Sequence, residues 1–83
     1  MNAMAMLARD AAADPWVGDV FSRDGANGRI LRRSVVAREE FHVVFQTDDP
    51  DQQPRRVWLP TFQDWAHSAD VEKTGDEAPV FDN

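Results

Sequence analysis

Apolar and polar residues alternate along the middle of the chain with a period of about two, the pattern of half-buried β-strands. Residues 16–21 (WVGDVF) read as a first strand. It is followed by the polar loop 22–28, where Asp24-Gly25 and Asn27-Gly28 are turn dipeptides that accept positive φ. Residues 29–38 (RILRRSVVAR) form the returning strand, and its adjacent apolar pairs, Ile30-Leu31 and Val35-Val36, predict a bulge or sharp bend. Residues 41–47 (FHVVFQT) follow, with Phe41, Val43 and Phe45 on one face and His42, Val44 and Gln46 on the other. The loop 48–54, with two prolines and three acids, leads to residues 55–59 (RRVWL). There Val57 and Leu59 share one face and Arg56 and Trp58 the other.

The period then changes. Phe62, Trp65, Ala66 and Ala69 follow i, i+3, i+4, i+7 behind Pro60-Thr61, predicting a short helix over 61–69 that caps the sheet. Met1, Met4, Leu7 and Ala11 recur at helical spacing, so residues 1–14 read as an N-terminal extension with helical character, ended by Asp14-Pro15. From Asp70 onward few large apolar residues remain and Gly75 and Pro79 interrupt any element, so 70–83 reads as a flexible acidic tail whose deletion leaves the fold intact. The domain proper is 15–69. It is mainly β, a small, strongly bent antiparallel sheet or barrel of about four to five strands.

Composition narrows the chemistry. The chain has 83 residues, so one domain is the only sensible count, and without cysteine its stability rests on packing rather than disulfides. That suits a reducing cytoplasm. No apolar run approaches the roughly 20 residues of a membrane span, and the Met- and Ala-rich start carries Arg9 and Asp10 instead of a signal-peptide pattern. The net charge is −6, but Asp70, Glu72, Asp76, Glu77 and Asp82 against Lys73 place most of it in the tail. The body is nearly neutral, and its basic residues are all arginine.

A resemblance follows from particular runs. Gly18-Asp19-Val20-Phe21, the hairpin and apolar strands after it, and Trp58-Leu59-Pro60-Thr61-Phe62-Gln63-Asp64-Trp65-Ala66 resemble small SH3-like barrel proteins of bacteria and phages. In those proteins a GDV strand opens the barrel and an FxxWA helical turn closes it. The resemblance spans about residues 15–67 and implies a fold; its motifs are structural and carry over no catalytic residue.

Candidate catalytic chemistry is sparse. His42 and His67 lie far apart without metal-ligand spacing, and no phosphate-cradling, zinc-protease or nucleophile-elbow motif occurs. Asp48, Asp49 and Asp51 lack the central glycine and distal glutamate of a calcium loop, so they read as a solvated turn. The expectation is a protein that is not an enzyme and has no cofactor or metal. The candidate partner-binding residues are Arg32, Arg33, Arg56, Trp58 and Trp16, with Asp48, Asp49 and Asp51. Arginine beside tryptophan is a frequent interface anchor, although arginines paired with Asp19, Glu39 and Glu40 across strands would account for the same residues structurally.

Three readings follow. Size, acidity and fold type resemble phage-encoded inhibitors of bacterial defence, anti-CRISPR proteins among them. This resemblance implies a non-enzymatic protein-binding module that blocks a basic or nucleic-acid-binding surface in the cytoplasm of a bacterial host. The alternative is a nucleic-acid-binding module that grips phosphates with Arg32 and Arg56 and stacks bases on Trp58. The third is a structural homodimer or larger homo-oligomer joined through the N-terminal helix or a strand edge.

Overall fold

A computed structural model describes residues 10–75. Strand β1 (Val20–Asp24) turns back through a 3-10 turn at Ala26–Gly28 into β2 (Ile30–Arg38). Strands β3 (His42–Thr47) and β4 (Arg55–Trp58) continue the meander. Helix α1 (Leu59–His67) then carries the chain to β5 (Asp70–Lys73). The result is mainly β: one unclosed antiparallel sheet in the order β4-β3-β2-β1-β5, plus one helix.

The local chemistry explains the turns. Asn27 (φ 60°) and Gly28 (φ 75°) occupy the left-handed region that the Asn-Gly dipeptide tolerates at little steric cost. The register of β2 against β3 shifts between Val35 and Ala37, leaving Val36 as the extra residue, so the Val35-Val36 pair marks a bulge as its sequence predicts. Pro60 lies in the first turn of α1, where its missing N–H breaks no helical bond. That start is two residues earlier than the apolar spacing alone suggests. At the far end, His67 occupies the last turn, where a basic group complements the helix dipole.

Residues directly opposite one another in a ladder project to the same side of the sheet. The rows Phe21–Arg33–Thr47 and Val35–Phe45–Arg55 therefore share the helix-bearing face. Phe21, Val35, Val43 and Phe45 on the sheet, Phe62 and Ala66 on α1, and Ala11 and Ala12 before β1 form the buried core. Phe62 is its centre, edge-on to Phe21 at 5.5 Å and tilted on Phe45 at 5.7 Å. Fully burying a side chain of this size contributes about 1.5–3 kcal/mol. Val57, Leu59, Trp65 and Ala69 pack around this centre, placing Val57 and Leu59 inward as the alternation requires.

Several expectations are corrected. Residues 16–18 do not belong to the first strand; only Val20 and Phe21 of that run do, and Asp19 just before them is fully buried. Phe41 precedes β3 and is exposed instead of continuing the Val43 and Phe45 face. The tail is not structureless from Asp70: Asp70–Lys73 pair with β1, and the Gly75 N–H donates to Asp19 Oδ1. All four β5 side chains are exposed, so backbone pairing rather than apolar burial forms this strand, and hydropathy carries no trace of it. Of the N-terminal extension expected to be helical, residues 1–9 lie outside the described residues, and 10–14 form a turn closed by the Asp14 N–H donating to the Asp10 carbonyl at 2.9 Å.

Candidate functional site

The outer face of the sheet, opposite α1, carries most of the arginine and tryptophan residues singled out in the sequence. Its charges are largely spent internally. Arg32 donates from Nε and Nη2 to the two oxygens of Glu72, both at 2.9 Å, and from Nη1 to Asp48 at 2.6 Å. Arg56 forks onto Glu39, with Nε at 3.0 Å and Nη2 at 2.9 Å, and lies 3.2 Å from His42 Nδ1. These hydrogen bonds hold the Glu72 carboxyl, aided by Ser22, and the Glu39 carboxyl below the usual carboxylate range. The same bonds raise both guanidinium pKa values. The acids of the 48–54 loop also build structure: Asp51 N–H donates to Asp49 Oδ1 and Asp49 N–H to Thr47 Oγ1. Glu39 is thus the one carboxylate among Asp19, Glu39 and Glu40 that takes an arginine side chain in the described residues, whereas Asp19 holds backbone amides.

Strand β3 separates β2 from β4, so Arg32-Arg33 and Arg55-Arg56 are not on neighbouring strands. Arg32 and Arg56 share the outer face, but Arg33 lies on the other side. Trp16 is half-buried, with the Arg38 guanidinium 5.8 Å from its ring centroid, and belongs to neither group.

Two surfaces remain chemically available. At the outer corner of β3 and β4, Trp58 pairs across from His42, and the Leu59 N–H donates to the Phe41 carbonyl in the next rung. Phe41 is 61% exposed and Trp58 60%, the most exposed large apolar side chains among the described residues. Strand β4 is a sheet edge, so its outward backbone groups have no strand partner in the described sheet.

The second surface lies on the helix-bearing face, around Trp65 in the last turns of α1. The Arg33 guanidinium lies over two rings, 4.4 Å from the Phe45 centroid and 4.2 Å from that of Trp65. Arg23 lies 5.9 Å from the same Trp65 ring and donates from Nη1 to Ser68 Oγ at 2.8 Å. Burial lowers the Arg33 pKa, and the nearby positive charges of Arg55 and Arg23 lower it further. Beside Arg33 opens a depression of about 550 Å³ whose walls include Arg29, Leu31, Thr47 and Gln52.

Sequence reasoning missed Phe41, Arg23 and Trp65 as surface features. A signal for the arginines exists in the strand alternation: each lies two residues from an inward apolar residue, Arg23 from Phe21, Arg33 from Val35 and Arg55 from Val57. Among the described residues no three His, Cys, Asp or Glu side chains gather as a metal site, and no helix is long and apolar enough to cross a membrane. Comparison with protein-family models, curated proteins and solved structures finds no match to this chain.

Proposed function

We propose that the chain is a non-enzymatic protein-binding module of SH3-like architecture whose contact surface is the Phe41/Trp58 corner at the β4 edge. The architectural part draws support from a four-strand meander followed by a helical segment and a fifth strand beside the first. The FxxWA motif, Phe62 to Ala66, lies in that connecting helix. The single observation that carries the binding part is that Phe41 and Trp58, each about three-fifths exposed, lie in neighbouring rungs at one end of the open β4 edge. Large exposed apolar groups next to an arginine are the usual anchors of protein interfaces. Nucleic-acid binding through Arg32, Arg56 and Trp58 has less support, because both guanidinium groups already donate to carboxylates.

The test compares wild type with Phe41→Ser and Trp58→Ser in affinity capture from host lysate, followed by titration against the captured protein. Each substitution is expected to weaken binding about 30-fold, or about 2 kcal/mol, as loss of an interface anchor does. The melting temperature should stay unchanged. Undiminished affinity in both variants refutes the assignment of this corner.

A further inference from the structure

A chain with 15 acidic and 9 basic residues has carboxylates to spare, yet among the described residues four arginines, Arg23, Arg29, Arg33 and Arg55, pair with none. Arg32, Arg38 and Arg56 each form an ion pair, whereas Arg23, Arg33 and Arg55 have no carboxylate partner among the described residues. Neither Arg33 nor Arg55 spends a guanidinium N–H on any described acceptor, although Arg33 is half-buried. The Arg33 guanidinium carbon lies over both the Phe45 and the Trp65 ring, contacts that use none of its hydrogen-bond donors. The rings also hold it in place, which reduces the ordering cost of binding.

The structural alternative is that these charges serve the C-terminal end of α1, where cations are favourable. That accounts for Arg23, which donates to Ser68 just past the helix. It does not account for Arg33 and Arg55, which make no hydrogen bond to the helix.

We propose that Arg23, Arg33 and Arg55 form a receptor for an extended acidic segment of a partner protein. The register places them on a diagonal. Arg23 and Arg33 are one strand and two residues apart; Arg33 and Arg55 are two strands and two residues apart. Strand geometry then sets Cα separations of about 8 and about 12 Å. Carboxylates on alternate residues of an extended peptide recur about every 7 Å on one side, within reach of the flexible arginine stems. A nucleic-acid strand fits less well. Arg33 lies over the Trp65 ring, with Arg23 close by, and the same ring packs against Phe21 and Phe62, so these contacts compete with a base that would stack on it. Asp49, on the rim of the neighbouring depression, adds a repulsive group on that side and directs the acidic segment across the sheet, toward Arg55.

The experiment is an NMR titration of the full chain with a synthetic peptide of alternating Asp and Ser residues at low salt, repeated with oligothymidylate. Peptide-induced shifts are expected at the Arg23, Arg33 and Arg55 side chains and the Trp65 indole, with affinity falling as salt rises. Arg23→Ala and Arg55→Ala, at strand ends, should each weaken binding about tenfold. Arg33→Lys, which keeps the charge but loses the planar fork, should weaken it at least as much. Arg56→Ala, on the opposite face, should leave it unchanged. Absence of shifts at millimolar peptide, equal weakening by Arg56→Ala, or tighter binding of oligothymidylate would each overturn the proposal. The Phe41 and Trp58 variants should bind this peptide normally, which separates failure at this site from failure at the corner.

Discussion

Asp19 is a fully buried carboxylate that receives the Trp16 N–H on one oxygen and the Gly75 N–H on the other, each at 2.7 Å. It ties the segment before β1 to the end of β5, two stretches 56 residues apart in sequence. A side chain at position 75 would intrude here, because a Cβ on Gly75 overlaps the Val17 carbonyl and lies 2.9 Å from the Gly18 Cα. Asp19→Ala strands two amides that are partly shielded from water, and each hydrogen bond to a charged acceptor is worth about 1.5–3 kcal/mol. Urea unfolding should show a loss of about 3 kcal/mol, with Asp19→Asn intermediate because one oxygen acceptor survives. A loss under about 0.5 kcal/mol, typical of surface substitutions, would show that water replaces the carboxylate. The sequence marks this residue only as part of a GDV run; its burial depends on a contact with a glycine that no local pattern predicts.

Among the elements, α1 is the most legible. The spacing of Phe62, Trp65, Ala66 and Ala69 identifies its inward face, and Phe62 and Ala66 are buried. Strand β5 is the least legible, because four exposed side chains leave only backbone hydrogen bonds and the Arg32–Glu72 pair to define it. That pair makes β5 sensitive to acid. Hydrogen bonding from Arg32 and Ser22 lowers the Glu72 pKa from the usual 4.5, so its contribution to the folded state is present above that pH and fades as pH falls through the lowered value. Carbon-detected titration should place the Glu72 midpoint below 4.5, with β5 amide shifts following the same curve; Arg32→Ala should raise it toward 4.5. The same midpoint in wild type and Arg32→Ala would show that the pair does not persist in solution.

For the whole molecule, β5 completes one edge of a sheet whose other edge is β4. A chain ending at Ala69 loses that strand and the Asp19–Gly75 bond, whereas a chain ending at Gly75 keeps both. The shorter chain should be less stable by about 2 kcal/mol, or roughly 10 °C in melting temperature for a domain of this size. Equal melting temperatures would mean that the first four strands and α1 carry the stability unaided. This replaces the sequence-based expectation that everything beyond residue 69 is dispensable.

By itself, the chain's alternation and turn chemistry determined the β class, the hairpins, the Val35-Val36 bulge and the capping helix, because these depend on neighbours within a few residues. The alternation also put Arg56 and Trp58 on one face and Val57 and Leu59 on the other, while packing decided which of the two faces inward. Tertiary structure decided which arginines meet a carboxylate. Asp48, Glu72 and Glu39 lie 16, 40 and 17 positions from the arginines they neutralise, and the sheet order alone brings them within hydrogen-bonding distance. It likewise decided that Arg23, Arg33 and Arg55, dispersed over three strands, share one face and have no carboxylate partner among the described residues. Charge pairing is a short-range contact between groups distant in sequence, so composition shows how many charges exist but not which remain free.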